Sequence, residues 1–160
     1  MDIYTVTFLG HRNISKVKEV EEKLDHCIRC LLREKYYIDF LVGRNGEFDT
    51  MASAAIRRAK REARSDNSTH SLILPYLTAE YKNSKKYFEE YYDEIEVYQE
   101  STNAHFKNAI QIRNRHMIDR ADLVISYIEH KSGGAFQSIK YAQSLNKKII
   151  NLAYNERTDE

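Results

Sequence analysis

Apolar positions along this chain follow two rhythms that alternate. Short runs rich in β-branched and aromatic residues stand at 3–9, 37–42, 71–76, 123–127 and 148–152. Runs of this kind suit strands buried on both faces of a parallel sheet. Between them the spacing turns helical. Val17, Val20, Leu24, Cys27 and Leu31 share one face, with Ser15 as the N-cap and Glu19 and Glu21 in the first turns. Ala52, Ala55, Ile56, Ala59 and Ala63 form a narrow stripe that permits close helix-to-sheet packing. Ala109, Ile112, His116 and Met117 mark a helix over 104–120, and Ala135, Ile139, Ala142 and Leu145 mark the last one. The segment 81–93 reads as a short helix or lid, and 95–98 as a polar strand. Strands alternating with helices predict an α/β fold with a doubly wound, mostly parallel sheet. At 160 residues the chain reads as a single domain over 1–154, with 155–160 as a frayed tail.

The five glycines change the picture. Gly10, Gly43, Gly46, Gly133 and Gly134 all follow the expected C-terminal ends of strands. That edge of an open α/β sheet is where ligands bind. Gly133-Gly134 stands between a strand and a helix, which points free backbone N–H groups at an anion, although a glycine pair also makes a plain tight turn. Polar groups gather at the same edge: His11 and Arg12, then Arg44, Asn45 and Asp49, then Arg113, Asn114 and Asp119. Arg113 reaches that edge only if its helix begins near it. Arginines there bind phosphate or carboxylate in bidentate fashion. A carboxylate there accepts from ribose hydroxyls or acts as a base, making Asp49 and Asp119 catalytic candidates together with His11. Each has a structural alternative: a helix cap for Asp49, an ion pair or cap for Arg113 and Asp119, a turn for His11.

Charge narrows the partners. The net charge is +1, so no global field recruits nucleic acid or an anionic membrane, and this argues against both as partners. The basic run Arg57, Arg58, Lys60, Arg61 and Arg64 reads as a solvated face rather than a nucleic-acid patch, with the acidic run 89–96 as its counterpart. No apolar run approaches the roughly 20 residues of a membrane span. The N-terminus has Asp2 where a signal peptide would be basic, so a cytoplasmic location is expected. Cys27 and Cys30 lie inside a helical pattern and read as structural thiols, with a reactive dithiol as the alternative. No metal site is expected. Tyr76, Tyr81, Tyr87, Tyr91, Tyr92 and Tyr98 either stack a nucleobase, line a dimer interface or pack a lid.

Taken together, TFLGHR at 7–12, GRNGEFD at 43–49, LILPY at 72–76, RNRHMIDRADLVISY at 113–127 and GGAFQSIKYA at 133–142 resemble the YpsA-like family. That family is a domain of unknown function in the SLOG superfamily, related to the LOG phosphoribohydrolases and the DprA DNA-processing proteins. The resemblance covers nearly the whole chain in order. It implies a Rossmann-like three-layer sandwich with a mostly parallel sheet, a nucleotide-derived ligand at the strand C-termini, and a homo-oligomer such as a dimer. The ligand site would comprise Gly10, His11, Arg12, Gly43, Arg44, Gly46, Asp49, Arg113, Asn114, Asp119, Ser132, Gly133, Gly134 and Ala135. LOG enzymes carry PGGxGTxxE; here Ser132 replaces the proline, Phe136 and Gln137 the glycine-threonine pair, and Lys140 the glutamate. A lysine does not stabilise an oxocarbenium ion or activate water as a carboxylate does.

The expected function is therefore binding of a nucleotide or other phosphate-containing small molecule, with no cofactor required. A nucleotide hydrolase acting on an N-glycosidic or phosphoester bond is the alternative. A DNA-processing accessory role follows from kinship with DprA alone.

Overall fold

The computed structural model describes residues 2–63 and 66–154. The expected tail at 155–160 and Arg64 of the basic run lie outside the described residues. Six strands form one all-parallel sheet: β1 (Ile3–Gly10), β2 (Tyr37–Val42), β3 (Ser68–Leu74), β4 (Glu94–Val97), β5 (Leu123–Tyr127) and β6 (Lys148–Asn151). The strand order is β4-β3-β2-β1-β5-β6. Val6 of the central β1 pairs with Phe40 of β2 and with Leu123 of β5. The order reverses at β1, so the crevice between β1 and β5 is the topological switch point.

Side chains alternate across the sheet. Phe8 and Phe40 enter a core with α1 (Val17–Glu34) and α2 (Glu47–Glu62), where Leu24, Ile28, Ala52 and Ala55 are buried. Leu9, Leu41 and Val124 enter the opposite core with α5 (Phe106–Arg120) and α6 (Gly134–Ser144), through Met117, Ile118, Ile139 and Ala142. The result is the Rossmann-like three-layer sandwich that the alternating pattern implies. Among the described residues no helix is long and apolar enough to cross a membrane.

Local departures have local causes. The helix α1 begins after Lys16, without a side-chain cap, while the expected cap Ser15 donates instead to Glu129 at 3.5 Å. The strand expected at 71–76 starts earlier, at Ser68, and stops before Pro75. Its polar opening, Ser68-Thr69-His70, hides it from a hydrophobicity pattern. The segment 81–93 divides into α3 (Ala79–Asn83) and α4 (Lys85–Tyr91), and a single 3-10 turn, Gln99–Ser101, precedes α5. Tyr81 and Tyr92 pack on Phe88, with ring centroids 5.4 and 5.9 Å away, and Tyr91 packs on Tyr92 at 4.9 Å, so these tyrosines serve packing, while Tyr87 keeps half of its surface exposed. Cys27 and Cys30 are both half-buried on α1 and no disulfide joins them.

The first turn of α2 presses against the end of β1. A Cβ on Gly10 would lie 2.4 Å from Phe48 Cγ, inside a core where Phe48 is fully buried. The Gly10→Ala variant is expected to lose about 1–3 kcal/mol of stability through overpacking. Urea denaturation measures this; unchanged stability would contradict so tight a contact.

Candidate functional site

At the C-terminal rim of the sheet lies a cavity of about 230 Å³, and all five glycines line it. The end of β1 contributes Gly10, and the β1–α1 loop contributes His11 and Arg12. The β2–α2 loop contributes Gly43, Asn45 and Gly46, and the first turn of α2 contributes Asp49. Helix α5 contributes Gln111, Arg113 and Asn114, and the start of α6 contributes Gly133, Gly134 and Ala135. The α5 helix reaches the rim because it runs antiparallel to the strands, so its N-terminal half sits at their C-terminal ends.

Arg113 is the centre of this arrangement. Its side chain is only 2% exposed. Nη1 donates to the Ile73 carbonyl at 2.8 Å, Nε to Asn114 Oδ1 at 2.9 Å, and Nη2 to Asn45 Oδ1. Every one of these acceptors is neutral. Burial lowers the guanidinium pKa to about 10, which still leaves it protonated at neutral pH. Asp49, in the first turn of α2, accepts from the Asn45 amide at 2.7 Å. Burial raises its pKa, while the Asn45 amide, Arg113 and Arg12 pull the other way. No ion pair closes between Arg113 and Asp49. The cavity thus keeps a cation held by neutral groups and a carboxylate that is tied to backbone.

Two further contacts shape the rim. Gly133 adopts φ +92°, which disfavours any side chain, and ends the loop before α6. The first N–H groups of α6, on Gly134 and Ala135, have no intrahelical acceptor. His11 organises the approach to that turn: its Nε2 accepts from the amides of Glu129 at 2.8 Å and His130 at 3.1 Å, and its ring stacks on His130 at 4.7 Å. His11 is therefore neutral with its proton on Nδ1, a tautomer assigned from these bonds. A sequence pattern does not show this, because the partners lie more than a hundred residues away. Glu47 is likewise missed: its carboxylate accepts from the Ile14 amide and pins the β1–α1 loop to α2.

Several expected site residues lie elsewhere. Arg44 turns away to pair with Glu80 at 2.7 Å, bond Tyr92 and stack over Phe88. Asp119 is exposed and accepts from the Tyr141 hydroxyl, far along α5 from the rim. Ser132 is exposed and does not line the cavity. Lys140, at the LOG glutamate position, is exposed and lies over Phe136, outside the cavity. Gln111 was not foreseen; it bridges α5 to α6, donating to the Gly134 carbonyl and accepting from Ser138.

The bonds to His11 make the loop pH-sensitive. Burial and the neighbouring His130 lower its pKa, with Glu129 opposing them. A histidine whose folded pKa is depressed stabilises above its ordinary value of about 6.5 and loses that stability as pH falls through the lower folded value. Protection of the Glu129 and His130 amides, measured relative to the intrinsic exchange rate at each pH, is expected to fall on acidification below pH 6.5, and to be low in His11→Phe at every pH. Protection in the wild-type chain that stays constant across this window would refute the coupling.

The fold is shared with solved structures of DNA processing protein A. That of the Streptococcus pneumoniae protein matches with a TM-score of 0.67 and 18% identity, over 92% of this chain and 49% of that one. A structure of the Helicobacter pylori protein, determined for its single-stranded DNA binding mode, matches with a TM-score of 0.64 and 18% identity, over 91% of this chain and 63% of that one. The chain thus spans between about half and under two thirds of these neighbours. No family model matches it, and no curated protein sequence does. The expectation that near-neutral charge argues against nucleic acid is overturned, since a protein of this fold binds single-stranded DNA. Net charge averages over a whole chain, whereas strand affinity depends on the few cations that meet phosphates. At the level of fold, the DprA-like side of the sequence resemblance holds.

Proposed function

We propose that this chain is a binding module that grips a nucleotide phosphate at the glycine rim, and that the ligand is single-stranded DNA. The observation that carries this reading is Arg113: a buried guanidinium lining a cavity, hydrogen-bonded to neutral acceptors alone, with the Asp49 carboxylate near enough to act on it but not closing an ion pair. A cation so placed is held ready for an anionic partner, and a phosphate oxygen would complete its bonding. The free N–H groups at the start of α6 supply a second set of donors. The likeness of fold to a protein that binds single-stranded DNA favours a phosphodiester over other anions. The motifs quoted above further support placement in the YpsA-like branch.

A free nucleotide is the second reading, favoured by the size of the cavity: about 230 Å³ accommodates a phosphate with part of a sugar rather than a run of bases. Asp49 is the sole carboxylate lining that cavity among the described residues. Its bond to the Asn45 amide favours holding a ligand hydroxyl over catalysis.

Fluorescence anisotropy with a labelled oligo(dT) at low salt tests the proposal. The folded protein is expected to bind. The Arg12→Ala variant, at an exposed position, is expected to bind about tenfold more weakly, and Arg113→Met weaker still. Competition by a mononucleotide at comparable concentration would select the second reading. Absence of binding to oligonucleotide and to a nucleotide panel would overturn both.

A further inference from the structure

A second cavity opens at the opposite rim of the sheet. It holds about 210 Å³ and is lined by Arg57, Lys60, Arg61, His70, Tyr91 and Asp93. Its position follows from topology. Arg57, Lys60 and Arg61 belong to the last turns of α2, His70 to the N-terminal half of β3, and Asp93 immediately precedes β4. These points all mark the strand N-termini, away from the glycines.

The cations there are not equally engaged. The Lys60 ammonium pairs with Asp93 at 3.0 Å and donates to the Ser68 carbonyl at 2.6 Å, so its charge and that of Asp93 offset each other. Arg57 spends one nitrogen on the Tyr91 carbonyl, at 2.8 Å, and lays its guanidinium over the Tyr91 ring at 4.3 Å. Arg61 is exposed and forms no ion pair among the described residues. The cavity therefore carries the excess charge of two arginines.

One buried group is left incomplete. His70 is 1% exposed and its Nε2 bonds Ser53 Oγ at 2.9 Å, but no protein group completes a hydrogen bond with Nδ1. The ring's backbone neighbour is the Tyr91 carbonyl, a weak and poorly aligned contact that it shares with Arg57. Burial keeps the imidazole neutral, with a pKa lowered to about 4. The Tyr91 carbonyl beside the ring favours the proton on Nδ1, with the Ser53 hydroxyl donating to Nε2, a tautomer assigned from these neighbours. A buried donor with no well-formed hydrogen bond is unusual and marks this corner of the cavity.

We propose that this cavity is a second anion site, at the rim opposite the glycines, that takes a phosphate group. Two guanidinium forks from α2 line the cavity, with the His70 imidazole of β3 at its floor, and paired forks suit the several oxygens of a tetrahedral dianion better than a planar carboxylate. The site stands on its own residues and does not depend on the glycine-rim reading.

Titration with inorganic phosphate, followed by NMR of the backbone amides and the His70 ring nitrogens, tests it. Saturable shifts are expected at His70 and at 91–93. The Arg61→Glu variant, at an exposed position, is expected to weaken them at least about tenfold by reversing one charge. Arg12→Ala, which alters only the glycine rim, is expected to leave them unchanged. Oligo(dT) that displaces phosphate from these resonances assigns the site to a nucleic-acid strand. Failure to displace assigns it to a free phosphate, and either result upholds the site. Absent shifts, or an Arg61→Glu variant that binds phosphate like the wild type, would overturn it.

Discussion

A single buried cation constrains this structure more than any other group. Taking a guanidinium out of water costs several kcal/mol unless its donors are met. Arg113 meets that demand by drawing in three separate pieces of chain: the end of β3 through Ile73, the β2–α2 loop through Asn45, and its own helix through Asn114. Asn114 passes the constraint onward to Ser138 of α6. The C-terminal rim is thereby held to one arrangement. Because no carboxylate pairs with Arg113 directly, that rim remains electrostatically open toward the cavity.

Glycine contributes differently from what an anion cradle alone would require. Gly133 alone among the five adopts a positive φ. Elsewhere the missing side chain makes room for protein: Phe48 lies against Gly10, and the Arg12 backbone lies 2.7 Å from where a Gly46 Cβ would be. Close approach of loops, more than close approach of a ligand, explains these positions. The cavity is what remains when loops packed this tightly still fail to meet.

Charge is distributed by place rather than by sum. The chain is close to neutral as a whole, yet among the described residues Arg113 at one rim and Arg57 with Arg61 at the other form no ion pair, while Arg44, Arg58 and Arg120 are paired. Counting charges in the sequence treats these arginines alike. Burial and partner choice separate them, and only the unpaired ones are disposed to meet a phosphate.

The sequence by itself determined the layers. Strands at 37–42 and 123–127 and the faces of α1 and α2 follow from hydrophobic period alone, because burial on one or both sides of an element repeats with the element's own geometry. It also placed the glycines on one rim, since loop positions in a βα unit follow from the order of elements. The opening of β3 was less legible, because Ser68 to His70 is polar yet packed inside the sheet, whereas the edge strand β4, Glu94 to Val97, alternates polar and apolar positions as a strand with one solvated side does. What only the tertiary structure decided is which polar side chains share a cavity. Asp119 and Arg113 lie on one helix within two turns, yet one points to Tyr141 and the other to Ile73. His11 finds its acceptor role with residues 129 and 130, and His70 its incompleteness among α2 and α4. Such pairings depend on side-chain direction and on contacts between distant segments, and neither is encoded in spacing along the chain.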